Sequence, residues 1–176
     1  AFGTPIRGGA GLAFLGVFEF AMALDAFHID RAALSALLSR SSLPDAPSSF
    51  VPPVGAAAAG STSPTQALEA CTFQARAIIE AAGSAGASAG PIVATGGWAR
   101  SRALVELRAS IFGAPLHTVA EEELAAFAAA MLASEGAGRS FSQALRLDET
   151  VIEPRREWVA RYDALYAHWQ EQNKAG

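Results

Sequence analysis

The sequence predicts an α/β domain, and three observations carry that prediction. Residues 92–95, Ile-Val-Ala-Thr, form a short apolar run between Pro91 and the pair Gly96-Gly97, as expected of a strand buried on both faces. Residues 102–112 follow with apolar positions at helical spacing. After the turn Gly113-Ala-Pro115, residues 115–119 return to a strand pattern, which completes a strand, helix, strand unit.

The remaining elements are read in chain order. Gly8-Gly9 precede a helix over residues 10–25, with Phe14, Val17, Phe18, Ala21 and Leu24 on one stripe. Asp30 is an N-cap for a second helix over 31–39, with Leu34, Leu37 and Leu38 on its apolar side. Residues 40–63 are rich in Ser, Pro, Ala and Gly and read as a long loop, with a short strand at 49–51 ended by Pro52-Pro53. A loop of that length inside one domain is either functional or mobile. Ser63-Pro64 opens a third helix, because Pro suits the first helical position. Its broad apolar face takes in Leu68, Cys71, Phe73, Ala75, Ile78 and Ile79. Residues 83–90 are a small-residue linker. Beyond the central unit come an acidic-capped, alanine-rich helix over 121–135, a short helix capped by Ser140, and a strand at 150–152. Pro154 opens a last helix to about residue 172. On that helix Trp158, Tyr162, Tyr166 and Trp169 recur at helical spacing, the stripe of a core or an interdomain contact.

Composition narrows the classes. The chain has 176 residues, 51% of them hydrophobic and 17% charged, which favours one well-filled domain over 1–176 and argues against disorder. A net charge of −4 offers no clustered cations for nucleic acid. Residues 8–26 are strongly apolar, but Glu19 and Asp25 interrupt them, so a buried helix is expected and not a membrane span. The lone Cys71 falls on the apolar side of its helix and reads as a buried thiol, in keeping with a reducing, cytoplasmic setting. His28, His117 and His168 lack metal-ligand spacing, and surface roles are expected of His117 and His168. Glu121, Glu122 and Glu123 suit a helix N-terminus, with a neighbouring Mg²⁺ as the alternative. Arg100 and Arg102 are expected in water or paired with Glu106, and Ser101 has no His and Asp at nucleophile spacing.

The glycine pair is the most telling feature for function. Without a Cβ, a turn between a strand and a helix lets the backbone approach a ligand. The helix start adds partial positive charge and donors that suit a phosphate or a ribose oxygen. The pattern is neither G-x-x-x-x-G-K-[ST] nor G-x-G-x-x-G. In isolation it equally describes a tight strand–helix turn.

The wider pattern resembles the C-terminal, ATP-binding half of the FGGY carbohydrate kinases, relatives of glycerol kinase and xylulokinase. Gly96, Gly97, Arg100 and Ser101 resemble the family's adenosine segment. Residues 111–117 and 122–133 resemble its next turn, strand and alanine-rich helix. Residues 66–76 resemble its R-A-x-x-E-x-x-A-F/Y helix, with Glu69 at the acidic position. Val151 to Pro154, Tyr162 and Tyr166 resemble its ending, and residues 8–14 its nucleotide-bordering glycine turn.

The resemblance implies a ribonuclease H-like, actin-like ATPase domain of three layers, incomplete at its N-terminal side. It implies that Gly97 and Ser101 contact adenosine beside Gly96, and that Gly9 lines the same cleft. Trp98 stands where a small residue is usual, and either lies against the adenine or packs on the core. Ala13 lacks the polar group that glycerol kinase-like members place near the nucleotide, Ala128 replaces a glycine, and the loop at 51–60 is shortened. The implied activity is ATP- and Mg²⁺-dependent phosphorylation of a sugar or polyol hydroxyl. The catalytic aspartate and the phosphate-holding Gly-Thr loop belong to an upstream segment, so no catalytic residue is assigned here and this stretch alone is expected to be inactive. The absence of an initial Met agrees with a piece of a longer protein. The alternative is a non-catalytic actin-like nucleotide-binding or interaction domain. A homodimer is compatible with either reading.

Overall fold

A computed structural model describes residue 27 and residues 29–39, 44–53, 62–84, 91–94, 97–119, 133–134, 136–138 and 149–174. The elements are α1 (Arg31–Leu38), α2 (Pro64–Ser84), β1 (Ile92–Ala94), a 3-10 turn (Gly97–Arg100), α3 (Arg102–Phe112), β2 (Leu116–Val119), β3 (Glu149–Ile152) and α4 (Arg156–Lys174). The helices expected over 10–25 and from Ser140 lie outside the described residues, as does that over 121–135 except for residues 133–134, which are helical.

The strands form a mixed sheet in the order β1-β2-β3. β1 pairs in parallel with β2, placing Ile92 beside Leu116 and Ala94 beside Thr118. β3 returns antiparallel, with Leu116 opposite Ile152 and His117 opposite Val151. Because side chains alternate across a strand, Ala94, Leu116 and Ile152 share one face, and there they pack with Val105 and Ala109 of α3. The opposite face carries the row Val93, His117 and Val151, of which Val151 is exposed.

α3 sits between this sheet and a helical layer. Its other side sends Leu104, Leu107 and Ile111 into a second cluster with Leu68, Cys71 and Phe73 of α2 and with Trp158, Tyr162, Tyr166 and Trp169 of α4. The aromatic stripe read from the sequence is therefore core. Phe73 meets Tyr162, Tyr166 and Trp169 edge-on at 6.3, 5.4 and 5.8 Å, a geometry that aligns ring edges with ring faces. Burying each such side chain contributes roughly 1.5–3 kcal/mol.

Caps set the helix boundaries. Asp30 Oδ2 accepts from Ala33 N–H at 3.1 Å, as its type predicts. Before α2, Ser63 Oγ accepts from Gln66 N–H at 3.2 Å, while Gln66 Oε1 accepts from Ser63 N–H at 3.0 Å. This reciprocal box satisfies two donors at once. α3 stops at Gly113, whose φ of 65° and ψ of 18° are left-handed, and the N–H groups of Gly113 and Ala114 both return to the Ala109 carbonyl.

Three expectations change. Residues 49–51 form no strand, because their neighbourhood offers side-chain partners in place of another backbone. Gln66 Nε2 donates to Phe50 O and Trp169 Nε1 to Pro52 O. Ile78 lies exposed, outside the buried stripe of α2. The last helix starts at Arg156, two residues after Pro154, with Trp158 N–H turning back to Arg155 O at 2.9 Å.

Candidate functional site

The candidate site is built at the carboxyl end of β1, where ligands gather in open α/β sheets. β1 ends at Ala94, buried against α3. A 3-10 turn begins at Gly97, and Ala99 of that turn packs on the sheet-side core. The 3-10 turn is set off from α3 by Ser101. Ser101 has an extended backbone (φ −89°, ψ 102°), and its Oγ accepts from Leu104 N–H at 3.4 Å. It is thus the N-cap of α3, and its carbonyl accepts from Val105 N–H at 3.1 Å.

A helix start of this kind carries partial positive charge and N–H donors, which suit an anionic or hydroxyl oxygen. The chemistry of these donors fits the ribose or phosphate of a nucleotide. Arg100 and Arg102 flank the cap and are exposed. Neither is the cation set against Glu106. That carboxylate pairs with Arg155 Nε at 3.3 Å, Arg155 N–H donates to Ser110 Oγ at 2.9 Å, and the Arg155 guanidinium lies 4.6 Å from the Trp158 ring centroid. The pairing ties the β3–α4 connection to α3 and was hidden in the sequence by the separation of its partners.

Of the residues singled out from the sequence, Gly97, Trp98 and Ser101 fall on one continuous stretch leading into α3. The Trp98 backbone lies in the 3-10 turn, while Gly9 and Gly96 are outside the described residues. Among the described residues, no group of three or more His, Cys, Asp or Glu side chains converges to hold a metal, and no helix is long and apolar enough to cross a membrane.

The sequence profile of the FGGY family of carbohydrate kinases, C-terminal domain, matches residues 32–137. The chain belongs to that family. The matched span contains α2, β1, the turn with Gly97 and Ser101, α3 and β2. Solved FGGY-type kinases share the backbone arrangement. A xyloylose (xylulose) kinase from Brucella ovis aligns with a TM-score of 0.63 at 20% identity, covering 90% of this chain and 38% of its own. A xylulose kinase from Rhodospirillum rubrum gives 0.59 at 20% identity, covering 89% and 36%. A xylulose kinase from Bifidobacterium adolescentis gives 0.53 at 25% identity, covering 90% and 34%. The chain therefore spans well under half the length of these FGGY kinases.

Proposed function

We propose that this chain forms the adenosine-side wall of the ATP cleft in a carbohydrate kinase of the ribonuclease H-like, actin-like kind. The observation that carries the reading is the Gly97-led turn between the carboxyl end of β1 and the Ser101 cap of α3, inside the span that matches the family. Gly97 permits close approach of a nucleoside, and the start of α3 offers donors to its oxygens. ATP with Mg²⁺ would supply the transferable phosphoryl group. Phosphoryl transfer depends chiefly on alignment and charge neutralisation, so a wall that fixes the nucleotide contributes by positioning it. The acceptor is a sugar or polyol hydroxyl, held by residues outside this chain. No catalytic base is assigned to the 176 residues, and turnover is expected to require that other part.

The test is calorimetric titration with a non-hydrolysable ATP analogue and Mg²⁺, comparing the chain with Gly97→Asp. The chain should bind, and the variant should lose binding while keeping its circular dichroism, because a carboxylate would occupy the approach to a phosphate or ribose. Equal affinity in the two proteins would remove the site from this turn.

A further inference from the structure

The proposed nucleotide wall has two edges. One is the carboxyl end of β1, held in the sheet, and the other is the Ser101 cap at the start of α3. The space between them depends on where α3 stands along the sheet. Apolar packing presses α3 against its neighbours on two faces, but that attraction is non-directional. Hydrogen bonds and ion pairs have preferred distances and angles, so they fix a register.

Arg155 makes such contacts at two levels of α3, one helical turn apart. Its backbone N–H donates to Ser110 Oγ at 2.9 Å, and its Nε donates to Glu106 Oε1 at 3.3 Å. The Ser110 hydroxyl is itself oriented. It donates to Glu106 O at 2.7 Å, which leaves its lone pairs for the Arg155 N–H. The guanidinium is steadied over the buried Trp158 ring, 4.6 Å from its centroid. The Arg155 and Glu106 side chains are 34% and 29% exposed, so the pair is better shielded than one on open surface. Arg155 follows closely on Ile152, the end of β3, and Pro154 restricts the link between them. Since β3 pairs with β2 and β2 with β1, the grip on α3 is anchored to the same sheet that carries β1.

We infer that Arg155 is a positioning residue for the nucleotide wall. It sets the register of α3 against the sheet, and with it the place of Ser101 and of the N–H donors at the helix start relative to the end of β1. Arg155 acts through α3 and not by touching the nucleotide. The inference rests on the reading of this turn as the adenosine side of an ATP cleft. A binding wall tolerates displacement of only about 0.5 Å before its donors lose alignment.

The test uses the 176-residue chain, with ¹⁵N amide spectra and calorimetric titration with a non-hydrolysable ATP analogue and Mg²⁺. Arg155→Met combined with Glu106→Gln removes the side-chain grip without changing net charge. Ser110→Ala removes the grip on the Arg155 N–H, and carries the test if the double variant does not fold. Arg155→Lys keeps a cation for Glu106. Tyr162→Phe is the control, because it deletes a buried hydrogen bond in the helical layer and leaves both grips intact. Each grip variant should displace the Gly97, Ser101 and Leu104 amide resonances and weaken binding about fivefold, the change that one misaligned hydrogen bond makes. Arg155→Lys and Tyr162→Phe should bind as the wild type does, the latter despite its lower stability. Affinity losses that follow stability across all the variants, Tyr162→Phe included, would mean a merely structural Arg155 and overturn the proposal. Grip variants that bind as tightly as the wild type overturn it too, and leave the nucleotide reading standing. A wild-type chain that does not bind the analogue removes that reading and this inference together.

Discussion

The Arg76 guanidinium of α2 donates from Nη1 to the Ile111 carbonyl in the last turn of α3 at 2.7 Å. Helix-end carbonyls lack intrahelical donors, so a cation there satisfies an acceptor and complements the helix dipole. The same guanidinium pairs with Glu80 at 2.9 Å and Asp163 at 2.8 Å, and lies 4.3 Å from the Tyr166 ring centroid. One side chain thus joins α2, α3 and α4.

Arg76→Met keeps most of the apolar stem and removes every donor. Its ion-pair partners are about half exposed, so they contribute little, and the Ile111 link dominates. The expected loss is about 1.5–3 kcal/mol, the range for a hydrogen bond to a charged donor. Urea denaturation should show a lower midpoint with an unchanged slope.

Ser101→Ala removes the acceptor for Leu104 N–H and should lower stability by about 1 kcal/mol. Ser101→Asp restores the cap but places a carboxylate at the proposed nucleotide wall. Thermal unfolding should therefore separate Ala from the wild type, while ATP-analogue titration should show the stable Asp variant binding more weakly.

Tyr162→Phe deletes one of the two donors at Glu69 Oε1 without opening a cavity. Leaving a buried acceptor less satisfied costs about 1–3 kcal/mol. Chemical denaturation should register that loss, with near-ultraviolet dichroism still reporting a packed aromatic cluster.

Tyr162 and Tyr166 are the only tyrosines in the chain. Burial, then the neighbouring carboxylates of Glu69 and Glu80, raise both phenols, Tyr166 to about 12. The folded state therefore retains protons that the unfolded chain begins to release near pH 10, and stability falls as pH rises from 10 through about 12. Ultraviolet titration at pH 10 should show almost no tyrosinate in the folded protein and about half ionisation in denaturant.

Local chemistry made much of the fold legible. Asp30, Pro64 and Gly113 mark helix ends because their conformational preferences act within a turn of chain. The β1, turn and α3 unit was visible for the same reason, and with it Gly97 and Ser101. The reciprocal box at Ser63 and Gln66 is written locally too, as S-x-x-Q spacing. What sequence order concealed was long-range partnership. Glu106 chose Arg155 over the nearby Arg100 and Arg102, Glu69 met Ser48 and Tyr162, and residues 49–51 found side chains in place of a strand. Periodicity marks a residue as inward-facing but does not say what waits there.

The burial of α3 on both sides has a mechanical consequence. The helix is packed against the sheet on one side and against the helical layer on the other. The Gly97–Ser101 stretch is moored to that rod through the Ser101 cap, so any shutting of a cleft would carry sheet, rod and aromatic layer together as one jaw.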